Sequence, residues 1–433
     1  MYNHFKITVF ITGLVFLTGL ILSLVFSYVS SDAPYYLSVA RDISQGSVPY
    51  KDIYLSYTPL MMYLNALVFL IFEQNHYNYF LFFQFVIIFF SQFVFFKTIR
   101  KYFQLSRWPA LFLAVILGIA ILSSDGNYIN LEVYSLLCVL SAFYFYKGNA
   151  YILTGFCLGL SFFFKQYGIL NFLPFYLLIL FSRENVFSKI LYLSCGGIIP
   201  LILFLGYFMG AQQIPLMSII NQLSGVEYIK YAVSGAPSLI SWLIGGKVFV
   251  MLLFCVALIH RKDFKKPVNI ALLIGVLVNL LPTFVQSFQH YYLNTFPYIF
   301  ILLVYNWNNN YAKVFKPLIL SVILIAGLLF FRSVKYRNVY QQQLIMANVV
   351  ENYITKGNEV FLNGGVRFLY FLNNYQNPIK EKIGYSYLSN LDQNLFENIK
   401  VLSHTPLKSR NAKKILLADE KFYIKLSENT ELE

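Results

Sequence analysis

Charge is what this chain most lacks. Only 12% of its 433 residues are Asp, Glu, Lys or Arg, while 58% are hydrophobic and 19% aromatic. That balance excludes an ordinary soluble globular protein and points to a polytopic membrane protein. Cysteine is scarce as well. Cys138, Cys157, Cys195 and Cys255 all lie inside apolar runs, so neither a disulfide framework nor a zinc-ligand spacing can be read, and small core residues are expected there. With five histidines, no H-E-x-x-H and no G-x-S-x-G, the residues fit a hydrolase poorly. No internal repeat, glycine-rich phosphate loop or low-complexity tract is present. The N-terminus reads as uncleaved: Lys6 precedes an apolar run to Tyr28 without a convincing small-residue cleavage site, which predicts a retained first transmembrane helix.

What is present is a series of apolar runs at about 7–28, 78–96, 108–122, 131–146, 150–164, 166–181, 189–210, 239–259, 268–288, 291–306 and 316–331. The excess of Lys and Arg over Asp and Glu, 33 against 19, falls largely in the short loops between them, as topology signals do and a nucleic-acid footprint does not. The run Thr58–Phe72 decides sidedness. Kept outside, it puts the basic loops Lys97–Arg107, Lys147, Arg183–Lys189, His260–Lys266 and Lys313–Lys316 in the cytoplasm; counted as a span, it puts them outside. The positive-inside rule therefore predicts an inside N-terminus, a long external loop at 29–77, eleven spans and an external C-terminal region. From Arg332 the composition turns polar around one alternating stretch, Glu359–Asn363, which predicts a small α+β appendage over 332–433 beside a membrane domain over 1–331.

The first loop gathers Asp32, Asp42, Asp52, Arg41 and Lys51 next to the first span. Tyr36, Val39, Ala40 and Ile43 recur at helical spacing, predicting a surface helix with Arg41 and Asp42 elsewhere on the wheel. Gly46 ends it, Pro49 stiffens the following turn, and Pro59 opens a second surface helix toward Phe72. Asp32 immediately precedes the first helix, where an N-cap and a functional carboxylate are equally good readings. Asp42 and Lys51 read as solvated. Glu132, in the first turn of an apolar run, is costly to bury alone and reads as a substrate or metal ligand or as the partner of a base. Asp125, beside Gly126, reads as a turn residue. Lys247 marks either a late start of its span or a cation reaching a headgroup, and Gln212–Pro237 has the apolar positions of a further surface helix.

Asp32, Tyr36, Ala40, Gly46, Pro49, Tyr50, Asp52, Pro59, Leu60, Tyr63, Leu64, Ala66 and Leu67 together resemble the opening of the polytopic C-type glycosyltransferases, the GT-C superfamily. The resemblance is to the branch of the protein O-mannosyltransferases and lipid A aminoarabinose transferases. Glu132 in NLEVYSLL, Lys165-Gln166 and QHYYLNTFPYIFILL from Gln289 extend it in order over most of residues 1–310. It implies an all-α polytopic GT-C-like fold in the cytoplasmic membrane and transfer of a sugar from a polyprenyl-phosphate donor to a lipid, glycan or protein acceptor. The transfer would run outside the membrane with inversion at the anomeric carbon. Asp32 would be the general base, with Tyr50, Asp52, Glu132, Lys165, Gln166, His290 and Tyr291 on substrate. The mannosyltransferase branch often has a second acidic residue directly after the first; here Ala33 stands there, which removes the basis for a two-carboxylate arrangement at that point.

Such a donor already carries a good leaving group, so the chemistry asks for a base, worth about 10²–10⁴-fold, and for cations near the departing phosphate. Lys165 and His290 lie on the predicted outer side; a snorkelling lysine and an interfacial aromatic belt at His290–Tyr292 are the plain alternatives. No cofactor or nucleic-acid partner is implied, membrane lipids are, and a divalent metal stays open. Two other classes compete. An O-antigen polymerase or ligase should carry its large loop later in the chain, and a transporter or flippase should show repeats and mid-bilayer charges.

Overall fold

Every predicted apolar run that falls among the described residues forms a helix. The structure, a computed structural model, describes residues 32–72, 77–126, 128–224, 266–285, 289–307, 343–345, 347–348, 351, 361–363, 368–377, 381 and 401–403. The predicted spans at 7–28, 239–259 and 316–331, with Cys255 and Lys247, lie outside them. The chain forms two compact units.

The first unit comprises Met1–Leu24, Leu81–Pro215 and Gly225–Arg332. Its helices are α3 (Tyr77–Tyr102, from Leu81 on), α4 (Arg107–Ile121), α5 (Leu131–Lys147), α6 (Tyr151–Phe164), α7 (Phe172–Ser182), α8 (Val186–Leu205), α10 (Pro267–Val285) and α11 (Phe296–Trp307). Among the described residues two helical stretches, Tyr77–Tyr102 and Val186–Ala211, are long and apolar enough to cross a membrane, each 26 residues. α7 and α11 are only 11 and 12 residues long because 3-10 turns at Gln166–Asn171 and Gln289–Thr295 precede them. α6 and α8 approach closely through glycine. A Cβ on Gly155 would overlap the Leu193 carbonyl, and one on Gly196 the Ile152 carbonyl, so only Gly lets these backbones meet. Away from that contact α8 exposes Phe187, Ile202 and Leu203 by 80, 62 and 64%, a large uncovered apolar face. Cys138 and Cys157 are buried as expected; Cys195 is exposed, because on α8 it falls away from the α6 face.

The second unit comprises Val25–Phe80, Leu216–Ser224 and Ser333–Glu433. It holds α1 (Ala33–Ser44), α2 (Leu60–Phe72), α9 (Leu216–Leu223), β1 (Phe361–Asn363), α12 (Phe368–Leu372) and β2 (Val401–Ser403). Gly46, at φ +98°, ends α1 as the sequence indicates, and Pro59 precedes α2. α1 is not the half-solvated surface helix that its wheel suggests. Every residue from Ala33 to Asp42 is buried, because α2 and α12 pack on it. Asp42, 1% exposed, is therefore not a solvated charge; its Oδ1 lies 3.6 Å from Arg41 Nε. Lys51 is exposed. α2 does expose apolar residues toward its end, with Leu67, Leu70, Ile71 and Phe72 at 53, 63, 70 and 45%. β1 falls within the alternating stretch Glu359–Asn363 and pairs in parallel with β2, Phe361 opposite Val401.

Candidate active site

In the first unit, chain reversals rather than helix centres bring the polar groups together. α6 ends at Phe164, and Lys165 is extended (φ −152°, ψ 129°) before the turn Gln166–Asn171 begins. The turn folds back tightly because Gly168 sits on the Ser161 carbonyl, where a Cβ would collide. A buried polar chain holds it: Asn171 Nδ2 donates to Ser161 Oγ at 3.1 Å, Ser161 Oγ meets Ser135 Oγ at 2.8 Å, and Tyr298 Oη donates to Asn171 Oδ1 at 2.9 Å. Lys165 is thereby turned inward, 4% exposed, rather than snorkelling.

Its partner is Glu132, fully buried in the first turn of α5, where the helix N-terminus favours a carboxylate. Lys165 Nζ lies 3.3 Å from Glu132 Oε1, and Tyr167 Oη donates to the same oxygen at 2.5 Å. The ammonium also lies over two rings, 5.5 Å from the Tyr167 centroid and 5.3 Å from that of Tyr291. Glu132 Oε2 is buried with no hydrogen-bond partner among the described residues. His290, 6% exposed, stands beside this cluster with Nδ1 3.7 Å from Asp125 Oδ2 and its ring edge-on to Tyr291 at 4.7 Å.

Asp125 is a turn residue, at φ +64°, as its Gly126 neighbour suggests, and it also pairs with His290. The turn is built by Gln84, a polar residue in the aromatic run of α3. Its Nε2 donates to the Gly126 carbonyl at 2.7 Å and to the Tyr128 carbonyl, and its Oε1 accepts from Asn130 N at 2.9 Å. The structure thus brings Glu132, Lys165, His290 and Tyr291 into one cluster and adds Tyr167 and Asp125. Gln166 opens the turn, half-buried. Among the described residues no three His, Cys, Asp or Glu side chains are grouped to hold a metal ion.

The remaining predicted residues belong to the second unit. Asp32 stands at the N-cap of α1, but its carboxylate makes no capping hydrogen bond; only its backbone carbonyl joins the helix, accepting from Tyr36 N at 3.2 Å. The capping role does not account for this side chain. Asp52 and Tyr50 shape the following turn. Asp52 Oδ2 accepts from Val48 N at 2.7 Å, and Tyr50, at φ +67°, donates from its hydroxyl to the Tyr57 carbonyl at 2.8 Å. Burial, then the nearby Tyr35 and Tyr63, pushes the Tyr50 phenol well above its ordinary range, so it stays a donor. Gln222 of α9 clamps the same turn, donating to the Tyr50 carbonyl at 3.0 Å while its Oε1 accepts from Leu55 N at 2.9 Å. Neither Gln84 nor Gln222 stands out by periodicity; an amide side chain within an apolar stretch is the signal each offers.

No family model matches the chain, and no curated protein matches it. Solved structures do. ArnT from Cupriavidus metallidurans bound to undecaprenyl phosphate superimposes with a TM-score of 0.57 at 12% identity, covering 85% of each chain. The same protein in its apo state gives 0.61 at 12% identity, covering 85% of this chain and 84% of ArnT. By fold, therefore, the chain is of the kind found in ArnT, the aminoarabinose transferase of the GT-C superfamily.

Proposed function

We propose that this protein is an integral membrane glycosyltransferase that moves a sugar from a polyprenyl-phosphate donor to an acceptor hydroxyl on the extracytoplasmic face. The observation that carries the reading is the fold shared with an ArnT whose structure holds undecaprenyl phosphate. The residue chemistry supports it. Asp32, not engaged as a helix cap, takes the proton of the acceptor hydroxyl as that oxygen attacks the anomeric carbon, and the polyprenyl phosphate leaves from the opposite face with inversion. Lys165, set between Tyr167 and Tyr291, offers positive charge for the phosphate, and Glu132 fixes its ammonium. His290, tied to Asp125, and Gln166 supply further donors beside it. Tyr50 and Asp52 contribute by shaping the turn next to α1.

The test is transfer of labelled sugar from a panel of undecaprenyl-phosphate monosaccharides in membranes holding the full-length chain. Asp32→Asn is expected to insert and fold normally yet lose about 10²–10⁴-fold in transfer rate, the range of a positioned general base. Unimpaired transfer by that variant would remove Asp32 from the reaction.

A further inference from the structure

One guanidinium ties the first loop to the C-terminal region. Arg41, 3% exposed in the last turn of α1, donates from Nη1 to the Tyr370 carbonyl and from Nη2 to the Tyr375 carbonyl, both at 2.8 Å. The two carbonyls come within reach of one fork for a local reason. Tyr370 lies in the last turn of α12, where carbonyls have no intrahelical donor, and the chain then reverses through Asn374 at φ +55° to present Tyr375. Asp42 supplies the countercharge, so the buried cation is compensated. The segment is also gripped by packing. The Phe371 ring meets Phe69, Tyr77 and Phe80 at 6.4, 6.1 and 5.8 Å.

Asp32 stands at the opposite end of the same helix, nine positions away, about 14 Å at helical rise. A helix buried along this length shifts as a rod, so what fixes Arg41 also fixes the first turn. We propose that Arg41 is a positioning residue for the transfer reaction: by latching residues 368–377 onto α1 it sets the position and rotation of the helix that carries Asp32. The C-terminal region is then a working part of the site's unit, not an appendage. The inference rests on Asp32 being the base. Lysine cannot replace the latch, because a single ammonium lacks the planar fork that reaches two carbonyls at once.

Full-length protein in proteoliposomes carries the test, with the same panel of undecaprenyl-phosphate sugars as donors and amide hydrogen exchange read in parallel. A misplacement of about 1 Å costs on the order of 10²-fold. Arg41→Gln is accordingly expected to lower kcat by about that factor while donor KM moves less than about threefold, the pattern of a lost transition-state interaction rather than lost binding. Amide protection should fall both at 369–377 and in the first turn of α1. Arg41→Lys should land between parent and Arg41→Gln. Phe371→Ala, which loosens the segment with Arg41 intact, should show the same loss weighted to kcat, so the outcome does not hang on one variant folding. Unchanged kcat in Arg41→Gln, or a released segment with the first turn of α1 still protected, overturns the latch. If Asp32→Asn is inactive in that case, the base assignment survives alone. If Asp32→Asn is fully active, or the parent turns over none of the donors, the functional reading falls and the positioning role falls with it.

Discussion

At Glu132 and Lys165 two charges sit almost fully buried, so each stands only because the other does. Taking one away leaves an uncompensated ion, and removal of one member of a buried pair typically costs about 3–5 kcal/mol, whereas replacing both by neutral groups of similar size is far milder. Lys165→Met should therefore lower the thermal midpoint of the purified protein sharply, and adding Glu132→Gln should recover at least half of the loss. Additive losses would mean that the 3.3 Å contact carries no coupling. The carboxylate could be picked from the chain because a charge opening an apolar run demands a partner. Which cation answers it could not be read: Lys165 reaches Glu132 only because Gly168 and Asn171 fold the chain back across Ser161. Tyr167 joins for the same reason.

At the scale of elements, two helix contacts stand out, and neither is visible in periodicity. α6 and α8 meet backbone to backbone at Gly155 and Gly196, a contact that depends on the missing Cβ. Gly155→Ala should force the helices apart, costing about 1–3 kcal/mol as overpacking does. Gly210→Ala, where nothing lies within 4 Å, should stay within about 0.5 kcal/mol. Melting curves of the two variants in detergent check the contrast, and equal losses would remove the close crossing as a determinant. α1 shows the opposite limit. Its apolar stripe reads as a surface helix, yet the helix is buried all round, because residues more than 300 positions away cover the face that bears Arg41 and Asp42. A helical wheel registers composition on each face; it carries no record of a distant segment whose carbonyls require a cation.

For the molecule as a whole, the predicted loop sidedness is the expectation that ties fold to the proposed chemistry. Three of the loops predicted to be cytoplasmic lie close together in the first unit: Lys101 lies 5.2 Å from the Tyr144 ring, Lys147 lies 5.0 Å from Phe103, and Lys189 lies 5.8 Å from Tyr151. The reversals at 122–126, 165–171 and 289–295 bring Asp125, Lys165, Tyr167 and His290 to the Glu132 cluster. Cysteines placed at Asn75 and Gln104 should be labelled by a membrane-impermeant reagent at Asn75 only in intact cells; labelling at Gln104 alone would invert the site's orientation. By itself the sequence determined that the chain is built of apolar helical runs, where most of its described helices lie, that α1 stops at Gly46 and that a carboxylate follows the first apolar run. These follow from local physics: runs of apolar residues favour helices, and glycine tolerates positive φ. Only the tertiary structure decided that Asp42 is buried, that Glu132 meets Lys165 and that Arg41 holds the C-terminal segment. Each of these rests on two groups far apart in the chain, one covering or neutralising the other, and such a pairing exists only once the chain has folded.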